Sequence, residues 1–193
     1  MSELSNLPDI DLLAMLGIYG VGRDLKQLFG FCTNHVQQPD AAYAAAQNTL
    51  AAAKELYVRA IACEMSEKPF FCTSPGMVKK YLIGRLGHLE HEQFWCLWLN
   101  SQHSLIMAEE ISRGTLNQTA VYPRELVKRA LQVNAAAVIV AHNHPTGTLQ
   151  PSTADKQMTD QLKAALGLID IRVLDHLIVA GTDAVSFVEK GLI

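Results

Sequence analysis

The chain of 193 residues lacks most of the signals that would commit it to a membrane, to secretion or to nucleic acid. No apolar run approaches the ~20 residues that cross a bilayer. The opening Met1-Ser2-Glu3-Leu4-Ser5 shows no basic stretch followed by an apolar one, as an export signal would. Cys32, Cys63, Cys72 and Cys96 are widely spaced, with no Cys-x-x-Cys pair, which speaks against a disulfide framework and against a thiolate zinc cluster. Basic residues are few as well, with 16 Lys and Arg against 19 Asp and Glu. Through Arg85 eight acids meet eight bases, whereas the remainder holds eleven acids and eight bases. Without a basic block or stripe, a protein living on phosphate contacts is disfavoured. These absences leave a soluble, cytoplasmic protein with no membrane partner. Disorder is excluded too, because 49% of the residues are hydrophobic and only 18% charged.

The pattern that is present divides near residues 66 to 90. The first part reads as helical. Pro8-Asp9 opens a short apolar segment, Ile10 to Leu16, interrupted by Gly17, Gly20 and Gly22, and a second short helix is predicted over Asp24 to Phe31. From Ala41 to Met65 the chain is rich in alanine, with Leu50, Ala53, Tyr57, Ile61 and Met65 at helical spacing. Ser74-Pro75 supplies an N-cap and a first-turn proline for a helix to about Leu86. Beyond it the aromatic run Phe94 to Leu99 predicts a buried strand, Asn100 to His103 a turn, and Ser104 to Ala108 a returning strand. Pro123 to Val133 is an amphipathic helix. Ala135 to Ala141 is apolar throughout, as a central strand covered on both faces should be. Ser152 can cap a helix to about Leu166 that Gly167 stops, and strands are predicted at Ile171 to Val173 and His176 to Ala180. Phe94, Trp95 and Trp98 read as core, and His88, His91 and His103 as surface residues without ligand spacing.

The chemistry concentrates in Ala141-His142-Asn143-His144-Pro145-Thr146-Gly147-Thr148-Leu149-Gln150-Pro151-Ser152-Thr153-Ala154-Asp155. His-x-His on an extended segment aims both imidazoles to one side, because strand side chains repeat every two residues. Asp155, at the start of the following helix, can return a carboxylate to them. Two neutral imidazoles, one carboxylate and a vacant position describe a catalytic zinc site rather than a structural one. Such a site lowers the pKa of bound water to about 7 and still needs a base to carry the proton to a leaving amine. Glu90, Glu92, Glu109 and Glu110 are the candidates, with Glu92 at the head of the aromatic strand ranking only slightly above Glu110. Ser152 can cap its helix or donate to an oxyanion. Asp175 and His176 can orient a ligand or simply bond at a strand start.

His-x-His-Pro followed by Ser-x-x-Asp, with Asp155 at the eleventh place after His144, resembles the JAMM (MPN+) metallopeptidase motif. Arg113-Gly114-Thr115, Tyr122-Pro123-Arg124-Glu125-Leu126-Val127-Lys128-Arg129-Ala130-Leu131 and Leu174-Asp175-His176-Leu177-Ile178-Val179 narrow the likeness to the bacterial RadC family, over roughly residues 70 to 193. The resemblance implies a cytidine-deaminase-like α/β/α domain of the JAMM/MPN kind at 70–193, preceded by a small helical region at 1–66. It implies one zinc ion per chain on His142, His144 and Asp155, with Glu92 as acid–base and Ser152 at the oxyanion. The implied activity is zinc-dependent hydrolysis of an amide or isopeptide bond in a peptide or protein substrate. RadC-like chains often carry a helix–hairpin–helix whose Gly-x-Gly turn offers amides to DNA phosphate. Here Gly20-Val21-Gly22 lies well before the alanine-rich helix and no glycine occurs between Phe31 and Pro75, so that unit is degenerate at most. A DNA-metabolism accessory protein and a non-cleaving peptide-binding scaffold are the rival readings.

Overall fold

The computed structural model describes residues 9–18, 41–68, 72, 74–114 and 121–193. The helix expected at Asp24 to Phe31 and the Gly20-Val21-Gly22 turn lie outside them. The chain divides into two compact units, Met1–Tyr57 and Val58–Ile193. The first contains α1 (Asp9–Met15) and the opening turns of α2 (Ala41–Glu67), in which Leu13, Ile18, Ala46 and Leu50 are buried. Alanine has the most favourable helix propensity, and neither glycine nor proline interrupts the long α2. No helix among the described residues is long and apolar enough to cross a membrane.

The second unit is a mixed α/β domain. It continues from the end of α2 through α3 (Pro75–Leu86), β1 (Gln93–Leu99), β2 (Leu105–Arg113), α4 (Pro123–Gln132), β3 (Ala137–Asn143), α5 (Thr153–Gly167), β4 (Arg172–Ala180) and β5 (Asp183–Ser186). Its five-stranded sheet runs in the order β2-β1-β3-β4-β5. Only β3 and β4 pair in parallel, and α5 is the crossover that parallel neighbours require. The pleat splits each strand between two cores. Leu97, Leu99, Ile139, Ala141, Leu177 and Val179 meet α3 and the Val58–Met65 turns of α2. Phe94, Cys96, Trp98, Val138 and Val140 meet Leu126 and Ala130 of α4 and Leu162 and Leu166 of α5. Helices on both faces explain why every residue of β3 is buried. Burying a side chain of the size of Leu162 stabilises the fold by about 1.5–3 kcal/mol, so this second core holds α5 firmly against α4 and β4.

The structure departs from the sequence reading at several places. One strand, β4, replaces the two expected at Ile171 to Val173 and His176 to Ala180. Leu174 forms the irregularity in the β3–β4 register, and the carboxylate of Asp175 is satisfied by Ser186 Oγ and the amides of His176 and Val188. Of the two roles open to Asp175, orienting a ligand or bonding within the strand region, it takes the second. β2 continues beyond Ala108 to Arg113, and β5 had no signal of its own. Gly167 stays within α5, and Asp170 takes the positive φ of 58° in the turn that follows. His91 and His103 are half-buried rather than surface residues. His91 Nε2 lies 2.9 Å from Gln93 Nε2, and His103 Nε2 lies 2.8 Å from a guanidinium nitrogen of Arg172.

Candidate metal centre

The site forms where β3 leaves the sheet and α5 begins. His142 shares the α4–α5 face with Val138 and Val140, and His144 follows one residue after the strand ends. The chain turns at Gly147, whose φ of +84° suits a residue without a Cβ and whose amide donates to His144 O at 3.0 Å. Ser152 then caps α5 in a reciprocal box. Its Oγ accepts from Asp155 N at 3.1 Å, while its own amide donates to Asp155 Oδ2 at 2.7 Å. This box fixes the carboxylate in the first turn of α5, facing the strand end.

His142 Nε2 stands 2.9 Å from His144 Nε2 and 3.3 Å from Asp155 Oδ1, and His144 Nε2 is 3.8 Å from Asp155 Oδ2. One ligand atom from each residue lies within 4.8 Å of the others. His144 Nδ1 lies 2.8 Å from Thr148 O, a carbonyl that can only accept, so Nδ1 donates there and Nε2 is the atom turned toward His142 and Asp155. Metal–ligand bonds of about 2.0–2.2 Å in a tetrahedron separate the ligands by roughly 3.3 Å. The observed spacings, counted to both oxygens of Asp155, bracket that value, and two imidazoles with a carboxylate suit a metal ion. His142 and Asp155 are buried and His144 is half-buried, so the group reaches the surface at His144.

The electrostatics agree. Burial alone would raise the Asp155 carboxyl, but the hydrogen bond and charge of His142, with the side-chain and backbone bonds from Ser152, outweigh it and hold the group below the usual carboxylate range. Behind His142 lies His176, fully buried between Phe94 and Phe187 with ring centroids 6.1 and 4.5 Å away. Burial, and secondarily the neighbouring His142, push this imidazole well below its ordinary value, so it is neutral. Its Nε2 is 2.8 Å from His142 Nδ1, whereas Asp175 bonds to the β5 side and does not join the group.

The four glutamates separate clearly. Glu109 is held by Arg129 at 2.7 Å and by Trp98 Nε1 at 2.7 Å. Glu110 pairs with Arg113 at 3.0 Å and sits opposite Trp95, on the sheet face away from His142. Glu90 is exposed in the preceding turn. Glu92 is half-buried just before β1, two residues ahead of Phe94, which stands opposite His142. The Ser152 hydroxyl donates to Asp155 Oδ2 at 2.7 Å, so its one hydrogen already serves the carboxylate.

Two contributors escaped the sequence reading. Thr159, one helical turn beyond Asp155, places its Oγ1 2.7 Å from His176 Nδ1. Asn143, between the two ligand histidines, points to the other face. Its Oδ1 accepts from Gln93 N at 2.8 Å, and its Nδ2 donates to His91 O at 3.0 Å and Leu89 O at 3.4 Å. With the Gly114 amide on Glu92 O at 2.9 Å, these bonds lock the loop that carries Glu92. The i+4 position after Asp155 was the available signal for Thr159. A buried Asn in a His-Asn-His triplet was the one for Asn143.

A sheet covered by helices on both faces, with two histidines at the end of its central strand and a carboxylate in the next helix, defines an α/β domain built around a candidate metal centre. The RadC-like JAB domain matches residues 72–192, and the chain belongs to that family. It is 46% identical to the UPF0758 protein of Leptothrix cholodnii over 97% of this chain and 90% of the relative. The UPF0758 protein of Chromohalobacter salexigens is 42% identical over the same shares. That of Methylibium petroleiphilum is 54% identical over 75% of this chain and 64% of its own length.

Proposed function

We propose that this protein is a cytoplasmic, zinc-dependent hydrolase of the JAMM type that cleaves an amide or isopeptide bond in a peptide or protein. The observation that carries the reading is the convergence of His142, His144 and Asp155 in a group that reaches the surface at His144. Three such ligands and an open position are the pattern of catalytic zinc. Zinc bound there supplies Lewis acidity and brings water to hydroxide near neutral pH. Glu92, just before β1, accepts the water proton and passes it to the departing amine, so one carboxylate serves as base and then as acid. Ser152 steadies the oxyanion by turning its hydroxyl hydrogen from Asp155 Oδ2 toward the substrate. Local sequence ranked Glu92 barely above Glu110. Glu92 keeps the role because Glu110 is paired with Arg113 and sits opposite Trp95, on the other sheet face from His142.

Metal analysis of protein prepared without chelator tests the site. Wild type is expected to carry one zinc per chain and the His142→Ala/His144→Ala variant none; equal contents sink the assignment. Activity is tested with a library of peptide and isopeptide substrates. Glu92→Gln should keep its zinc and lose cleavage by at least the 10²-fold that general acid–base catalysis contributes. Cleavage that survives this change removes Glu92 from the role.

A further inference from the structure

We infer that a cavity on the sheet face away from His142 binds a small primary alkylammonium ion, held by the carboxylate of Asp175. The cavity measures about 100 Å³. Its walls are apolar, formed by Val78 of α3, Ile139 of β3, Leu174 and Leu177 of β4, and Val188 beyond β5. Asp175 is the one carboxylate that lines it. Ile139 and Leu177 belong to the core under α3, whereas His142 follows Val138 and Val140 on the α4–α5 face. The cavity is thus separate from the metal centre, and the inference stands apart from the hydrolase reading.

Asp175 is 8% exposed, and every group bonded to it is neutral. Its Oδ1 accepts from the amides of His176 at 2.7 Å and Val188 at 3.1 Å, and its Oδ2 accepts from the Ser186 hydroxyl. A carboxylate has about four acceptor positions, so one is left over. No cation among the described residues pairs with it, and Lys79, next to Val78, is committed to Glu189. A buried charge without a counter-ion is costly, and proteins answer that cost by pairing it. Burial pushes this carboxyl above its ordinary value, against the bonds from Ser186 and the two amides. An ammonium group supplies both the missing charge and a donor for the fourth position. Size narrows the ligand further. An apolar cavity of about 150 Å³ holds benzene, so one of ~100 Å³ holds about four non-hydrogen atoms. Propylammonium has that size, with three carbons for the apolar walls and a charged head for Asp175. Pro75 and Val188 are exposed lining residues, so the cavity reaches the surface beside them.

Methyl ¹H–¹³C NMR of the full chain, titrated with propylammonium chloride, 1-propanol and sodium propionate, reads the cavity without any activity. Propylammonium should give saturable shifts at the Ile139, Leu174 and Leu177 methyls. Propanol should bind roughly 10- to 100-fold more weakly, as the loss of a hydrogen bond between charged groups implies, and propionate should not bind. Asp175→Asn keeps an oxygen for the His176 and Val188 amides and an NH₂ that can donate to Ser186 Oγ. It should weaken propylammonium by the same factor and leave propanol unchanged. Val78→Ile fills part of the cavity and should weaken both ligands with the carboxylate in place. If Asp175→Asn fails to fold, Val78→Ile and the comparison of ligands on wild type still decide. No saturable shift with propylammonium overturns the inference, and so does equal binding of propylammonium and propanol. N-acetyl-lysine methylamide, whose backbone is too large to enter, should bind no more tightly than propylammonium; tighter binding overturns the free amine as the occupant.

Discussion

Replacing Asn143 by alanine should loosen the loop before β1 far more than an ordinary surface change would. The side chain is 2% exposed and makes two good hydrogen bonds, to Gln93 N at 2.8 Å and His91 O at 3.0 Å, with a longer one to Leu89 O at 3.4 Å. An orphaned buried donor costs roughly 1–3 kcal/mol. Gln93 is buried and would bear that cost in full, whereas water can partly reach the half-buried His91. The long contact adds little. The sum is about 3 kcal/mol, and at about 2–4 °C per kcal/mol for a chain of this size the melting temperature should fall by ~6–12 °C. Amide exchange at Gln93 should rise roughly 100-fold, since about 1.4 kcal/mol corresponds to a factor of ten. Asn143→Asp makes a sharper comparison. It keeps an acceptor for Gln93 but turns a carboxylate oxygen toward two carbonyls, so it should be less stable than the alanine variant. A loss under about 1 kcal/mol with unchanged Gln93 exchange would refute the idea that this side chain fixes the Glu92 loop.

The other expectations concern the surroundings of the centre. Ser152→Ala removes the α5 cap and should cost about 1 kcal/mol in denaturant unfolding; if the hydroxyl also serves an oxyanion, kcat falls a further 10²- to 10³-fold with KM little changed. Gly87→Ala would bring a Cβ within 2.0 Å of Gly181 O and 2.8 Å of Ile83 O, so a backbone must move, and a loss of about 1–3 kcal/mol is expected by thermal melting. The Arg129 hydrogen bond, aided by Trp98, lowers the Glu109 pKa below 4.5 against a smaller opposing effect of burial. Its contribution is therefore present above pH 4.5 and lost as pH falls through the lower folded value. Glu109→Gln should be less stable than wild type at pH 7, with a flatter decline below pH 4.5 in acid titrations followed by circular dichroism.

Much of this centre was legible before any coordinates, because its parts are local. The apolar run into His142 marked a strand end, Ser152 and Asp155 had cap spacing, and the helix between Thr153 and Gly167 followed from both. The placing of Glu110 was not local. It depends on which face of β2 the residue occupies, and on a register shift between Phe94 and Trp95 that no pattern in the chain announces. The split roles of Asp175 and His176 were hidden in the same way. Neighbours on one strand face opposite cores, so one holds the β5 side and the other reaches His142. β5, four residues long, carried too little periodicity to be seen.

The connection between β3 and β4 explains why these ligands can converge at all. Adjacent parallel strands need a crossover, and a helix in that crossover starts at the carboxyl end of the first strand. Residues 144 to 152 need only turn the chain, with Gly147 as the bend, before α5 presents its first turn to the strand it has just left. The same helix packs against β4 and α4, with Leu162 and Leu166 in the core they share with Val138 and Val140, so the position of Asp155 relative to His142 is set by a buried core rather than by the loop. Thr159 lies on that core-facing side one turn after Asp155, within reach of His176 on β4. The crossover thus holds together three of its own elements: the strand that supplies two ligands, the helix that supplies the third, and the next strand that supports the first ligand from behind. Lengthening the loop should therefore disturb the metal centre less than truncating Leu162 to alanine. Truncation removes about 2–5 kcal/mol of packing and frees the helix itself. Zinc affinity measured on both variants will show whether core or loop sets the geometry.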